Sequence, residues 1–198
     1  MIDPIWQNPF FNLLEPKIRT MKKILLFTVL AAISISSFAQ STTKEKDQSN
    51  AEIFSAKSGT LMQKEFLALS NIKNCKIEVL HFTDLITTSK QSGLKFSMDV
   101  VSSYSTDTKS AMLDADEIDG LMKSIKLIQE KVLITTPSTY TEVNYRSRSG
   151  FEAGCFTSKG SWSCYLKLEK YDGKSYVWIN TEDLANLYTI LEQAKTKM

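Results

Sequence analysis

The chain has one histidine and three cysteines in 198 residues. Metal chemistry built on several histidines is excluded by count, whereas a carboxylate site is not. Cysteine is too scarce for a small disulfide scaffold, and no CxxC redox motif occurs. No GxSxG elbow or papain-like cysteine context is present for His81 to serve. His81 alternates with Cys75, Ile77 and Val79, which suits a packed or edge strand residue. The carboxylates show no pairing suggestive of glycoside cleavage. A catalytic role thus has no motif to rest on, and no cofactor or metal is expected. No Pro, Gly or Ser run is long enough to separate independent domains. With 42% apolar and 23% charged residues, the chain is neither disordered nor a multi-span membrane protein.

What is present begins with an export signal. Residues 21–40 read MKKILLFTVLAAISISSFAQ. Lys22 and Lys23 form a basic start, and Ile24 to Ile35 an apolar run too short for a comfortable span. Ser37 and Ala39 are the small residues that cleavage before Gln40 requires. The expectation is a signal peptide over Met21–Ala39 and a periplasmic or secreted product, meeting an envelope or extracellular partner. Residues 1–20 precede a complete signal with its own Met21, and are read as a start assigned too early. Gln40 to Asn50 contains no apolar residue and reads as a flexible lead-in to one domain over 51–198.

Formal charge is +2, with 24 basic and 22 acidic residues. Residues 1–39 hold four of the basic and two of the acidic, so the remainder is neutral with 20 of each. Electrostatic attraction to nucleic acid or anionic lipid loses its main support.

Turn chemistry organises the second half. Lys159-Gly160 makes a tight hairpin that sets Cys155 opposite Cys164, Ala153 opposite Leu166 and Phe151 opposite Leu168. Asp172-Gly173 reads as a second two-residue turn, pairing Leu168 with Val177, Leu166 with Ile179 and Lys167 with Trp178. Arg148-Ser149-Gly150 suits a three-residue loop that adds Val143 and Tyr145 to the same apolar face. Asn180 caps a helix whose stripe is Leu184, Leu187, Leu191 and Ala194. This half reads ββββα. The first half repeats it 66 residues earlier: Leu113, Asp114, Glu117, Ile118, Leu121 and Ile125 match Ile179, Asn180, Asp183, Leu184, Leu187 and Leu191. Phe96, Met98 and Val100 match Trp162, Cys164 and Leu166, and Ile77 and Val79 match Val143 and Tyr145. Residues 53–69 add one or two strands. Lys76 to Thr88 reads as a hairpin or one long strand. The fold expected is α+β: antiparallel sheets with helices over Asp116–Glu130 and Glu182–Lys195, in two related ββββα units over about 75–130 and 139–197.

This order of elements over roughly residues 75–197 resembles the paired ββββα repeats of the PUR and Whirly folds. That resemblance implies single-strand nucleic-acid binding, and no sequence motif carries it. The signal ending Phe38-Ala39-Gln40 also resembles those of uncharacterised exported proteins of the Bacteroidota, which implies location alone.

The candidate sites follow. Cys155 and Cys164, in an oxidising compartment, either bridge or remain two core thiols. Opposed Cβ atoms lie ~4.5–5.5 Å apart, slightly long for a bridge that would contribute about 2–3 kcal/mol. Cys75 is left over as a buried thiol. Asp114 to Gly120 looks calcium-like, but its third acid is one residue late, and helix capping explains the acids better. Arg146 and Arg148 are the only arginines beyond residue 39. Arg146, Glu152 and Lys167 form a cross-strand charged row, whereas Arg148 has no assigned partner and is the freer anion ligand. The second face of the meander carries Phe156, Tyr165, Tyr176 and Trp178. These either bind a glycan or base by stacking or are buried between the two units, and burial is expected. The role expected is a non-catalytic binding module. The alternatives are an anionic or glycan ligand held by Arg146, Arg148, Tyr165, Tyr176 and Trp178, or single-stranded nucleic acid.

Overall fold

The computed structural model describes residues 47–198. The signal peptide, the segment 1–20 and the lead-in up to residue 46 lie outside the described residues. Helix α1 (Asn50–Ser55) comes first. Four strands follow, β1 (Met62–Ile72), β2 (Cys75–Asp84), β3 (Lys90–Val101) and β4 (Thr106–Leu113), and then α2 (Ala115–Leu127). The second unit holds β5 (Glu142–Arg146), β6 (Glu152–Ser158), β7 (Ser161–Lys167) and β8 (Tyr176–Ile179), and then α3 (Thr181–Lys197). Each set of strands is an antiparallel meander in sequence order. The molecule is α+β, two ββββ units each followed by a helix.

Alternation builds the core. Ile77 and Val79 of β2, Leu94 and Phe96 of β3, Cys155 of β6 and Leu166 of β7 are fully buried in one cluster. Ile118, Leu121 and Ile125 of α2 and Leu184, Leu187 and Leu191 of α3 complete it. A side chain of this size contributes about 1.5–3 kcal/mol when buried. The helices cross between units: α3 packs on β1 and β2, while α2 lies against α3, β3 and β5. Tyr145 of β5 donates its hydroxyl proton to the Glu117 carbonyl at 2.8 Å, and the Phe96 and Phe151 rings meet at 4.8 Å.

Several expectations are corrected. The first unit begins at Met62, so Ile77 and Val79 sit on its second strand and match no first-strand residue. The 66-residue spacing does hold for third strand and helix start: Asp114 and Asn180 are both N-caps. Lys76–Thr88 supplies one strand ending at Asp84. Residues 50–55 are helical, because Ser49 accepts from the Glu52 amide and Glu52 from the Ser49 amide. Ser49 and Asn50 therefore do not belong to a flexible lead-in. Helix α1 covers the outer face of the first sheet, closing Ala51, Leu80, Phe82 and Met112 into a second small cluster. Helix α2 stops at Leu127 and passes into a π turn over Ile128–Val132.

The turns explain the registers. Lys159 and Gly160 both have positive φ, 52° and 80°, and set Cys155 against Cys164. The second hairpin departs from its expected two-residue turn. Ser175 is fully buried, donating to the Asp172 carbonyl at 2.7 Å and accepting from the Glu169 amide at 3.1 Å. This holds a wider loop with a 3-10 turn at Gly173–Ser175. Leu166 therefore pairs with Val177, Cys164 with Ile179, Lys167 with Tyr176, and Tyr165 with Trp178. The slip is two residues, so every side chain keeps its expected face.

Candidate functional site

The outer face of the second sheet is aromatic. Phe156 of β6, Tyr165 of β7 and Tyr176 and Trp178 of β8 project from it, joined by Tyr140 just before β5. Tyr176 and Trp178 stack with centroids 5.3 Å apart and planes 9° apart. Phe156 meets Trp178 edge-on at 5.9 Å, and Tyr140 extends the row to Phe156 at 6.2 Å. Gly154 lets β5 approach β6 closely. A Cβ there would come within 2.4 Å of the Val143 carbonyl oxygen.

Expected burial of this face is corrected. The two units meet through the opposite, aliphatic face, leaving Trp178 59% exposed, Tyr140 70% exposed and Tyr176 half-buried. Tyr165 lies beneath them, 2% exposed. Its hydroxyl donates to Glu142 Oε1 at 2.6 Å, and Tyr140 donates to the other carboxylate oxygen at 3.2 Å. Burial first, then the hydrogen bond to this carboxylate, pushes the Tyr165 phenol well above its ordinary value. Glu142 thus accepts from the hydroxyls of two of the rings.

A notch adjoins the platform. The last β7–β8 pair is Cys164 with Ile179, so Ser161 to Ser163 have no β8 partner. There the chain turns into α3, opening a cleft of about 600 Å3 lined by Phe156, Trp162, Ser163, Trp178, Asn180 and Thr181. Trp162 points to the inner face and donates its indole N–H to the Thr135 carbonyl at 2.9 Å. Tyr140, Glu142 and Trp162 escape the sequence reading. Tyr140 and Trp162 are visible as aromatic residues, but strand ends decide which face each one reaches.

The cations are engaged. Arg146 lies opposite Glu152 and bonds it through Nε at 2.9 Å and Nη2 at 2.8 Å. Lys167 lies opposite Glu152 as expected. Its ammonium sits 5.3 Å from the Tyr176 ring, where the register had suggested Trp178, and donates to the Lys170 carbonyl at 2.8 Å.

Arg148 stands elsewhere and has partners, contrary to expectation. Its guanidinium meets Asp114 at 2.5 Å, Asp116 at 2.7 Å and Glu117 at 3.3 Å. Its backbone N–H donates to Glu117 Oε1 at 2.7 Å. The Asp114 carboxylate also accepts from the amides of Asn50, at 2.7 Å, and Ala51, at 3.0 Å. One buried acid therefore ties α1, α2 and the β5–β6 loop together. The hydrogen bond from Arg148 holds the Asp116 carboxyl below its usual range. The calcium-like acids are thus spent on capping, on Arg148 and, for Asp119, on Lys195.

His81 shares a 2.8 Å hydrogen bond with Ser92 Oγ beside a polar cleft of about 470 Å3. Among the described residues no cluster of His, Cys, Asp and Glu is suited to a metal ion, and no helix is long and apolar enough to cross a membrane. Cys75, Cys155 and Cys164 are buried free thiols. No family model matches the chain, and no curated protein matches it.

Proposed function

We propose that the protein is an exported, non-catalytic binding module that holds a glycan on the outer face of its second sheet. The observation that carries this reading is the solvent-facing Tyr176–Trp178 stack, parallel within 9° and backed by Phe156 and the buried Tyr165. Flat rings present the C–H faces of a sugar with an apolar surface, and preorganisation by Glu142 lowers the entropy lost on binding. Ser163, Asn180 and Thr181 in the adjoining notch supply uncharged hydrogen-bonding groups suited to hydroxyls. An anionic ligand is less well served, because Arg146 and Arg148 are committed to carboxylates. The layout resemblance to PUR and Whirly folds supports a nucleic-acid reading only through the same rings, which would stack bases equally well.

Calorimetric titration with a panel of neutral oligosaccharides tests the reading. Trp178→Ala weakens binding roughly tenfold or more while the far-ultraviolet spectrum stays native, since the ring is a surface anchor. Affinity stays flat between low and moderate salt. A steep fall with salt, and tighter binding of single-stranded DNA, would identify phosphate contacts and replace the glycan. Binding unchanged in both Trp178→Ala and Tyr176→Ala would remove the face from consideration. Export is tested separately, by intact mass of the native product in envelope and medium fractions. A chain beginning at Gln40 is the expected result, and a full-length cytoplasmic one overturns it.

A further inference from the structure

The Cys155–Cys164 pair is absorbed neither by the ligand face nor by any other site, yet its surroundings are specific. The two residues are directly opposed across β6 and β7. The Lys159–Gly160 turn is flanked by the pair Ser158–Ser161. In a two-residue hairpin that flanking pair exchanges hydrogen bonds, and the pairs alternate outward from it. Thr157–Trp162 is then non-hydrogen-bonded, Phe156–Ser163 hydrogen-bonded, and Cys155–Cys164 non-hydrogen-bonded. Non-hydrogen-bonded partners have Cα atoms about 4.5 Å apart, inside the range that a disulfide spans. The general cross-strand spacing had suggested a slightly long gap, and the pair's parity removes that objection. Both residues point into the aliphatic core, 0% and 2% exposed.

We propose that Cys155 and Cys164 are a disulfide site, closed during folding in an oxidising environment and sealed afterwards by the core. The oxidant is a small-molecule or protein disulfide. The thiolate of one cysteine attacks a sulfur of that disulfide, forming a mixed disulfide and releasing one thiol. The second cysteine's thiolate attacks the protein-side sulfur, forming Cys155–Cys164 and releasing the other thiol. Two protons pass from the cysteines to the two thiols released, and the two electrons reduce the oxidant. In the finished fold neither thiol is presented to a reagent, so closure precedes the docking of α2 and α3. Cys75, buried in β2 of the other sheet, stays reduced.

The test uses the full chain, unfolded and reduced, then refolded in mixed oxidised and reduced glutathione. The product is alkylated in denaturant and weighed. The expected species is lighter than the reduced protein by two hydrogens, takes up one alkyl group, and yields a linked peptide joining Cys155 to Cys164. It resists reductant when native and yields to it in denaturant. Reduction lowers the melting temperature by about 5–10 °C, as closing a loop of about ten residues predicts for a domain of this size. The double variant Cys155→Ala/Cys164→Ala melts at one temperature with or without reductant. Three alkylated thiols after refolding, a link through Cys75, or ready reduction of the native protein would each overturn the assignment. None of these readings depends on a ligand.

Discussion

At the scale of single residues, Arg148 shows how far a side chain's role can lie from its sequence context. Its position in a loop was legible, since Ser149-Gly150 terminates a strand, and Gly150 has φ 88°. Its three carboxylate partners were not, because they stand more than 30 positions away at the start of α2, and only the crossing of the helices brings them together. Arg148→Ala leaves Asp114 and Glu117 buried without a counter-charge and costs roughly 3 kcal/mol, measured by urea unfolding. Arg148→Lys recovers only part of this, because an ammonium cannot span three carboxylates as a planar fork does. A pH dependence follows from the same chemistry. Hydrogen bonds, the first from Thr60, hold Asp84 at about 2, and Arg148 holds Asp116 below its usual value. The unfolded chain takes up these protons near pH 4, before the folded one does. The stability they contribute is complete above that value and is lost as pH falls towards about 2. Thermal melts at stepped acid pH, compared with Asp84→Asn and Asp116→Asn, read out the loss.

At the scale of elements, turns decided what could be foreseen. Lys159-Gly160 announced its geometry because a glycine beside a residue tolerant of positive φ admits few alternatives. Asp172-Gly173 carried an equally strong local signal and was overridden by the buried hydroxyl of Ser175, which closes a wider loop on itself. Faces survived the error because a two-residue slip preserves parity. The aromatic platform was therefore readable as a group, while its internal pairs were not. Exposure of that platform was also illegible, since it depends on which of two faces the other unit covers. Ser175→Ala strands the Glu169 amide, while the Asp172 carbonyl keeps its bond from the backbone N–H of residue 175, and destabilises by about 1–3 kcal/mol in chemical denaturation. Amide exchange should quicken in β8 and its loop while β6 remains protected.

At the scale of the molecule, the two units share one core. Phe96 packs on Phe151, Tyr145 reaches α2, and Lys109 of β4 pairs with Asp172 at 2.6 Å across the units. Residues 47–132 and 138–198, produced as separate chains, should each fail to give dispersed amide resonances. Mixing them should restore a folded complex, and two independently folded halves would refute the shared core. The repeat was legible where strand alternation gives way to helix at matching N-caps. It was obscured at the first strands, where the longer first sheet displaces the correspondence. The crossed helices bear on ancestry. A lone ββββα chain would leave a sheet uncovered and a helix without its seat. Two identical chains could each lend the other a helix and close both cores at once. Gene duplication followed by fusion would convert that exchange between partners into one within a single polypeptide, where the tether supplies the concentration that a homodimer must find in solution. Each half would then be free to diverge, one towards α1 and its small second core, the other towards an open aromatic face.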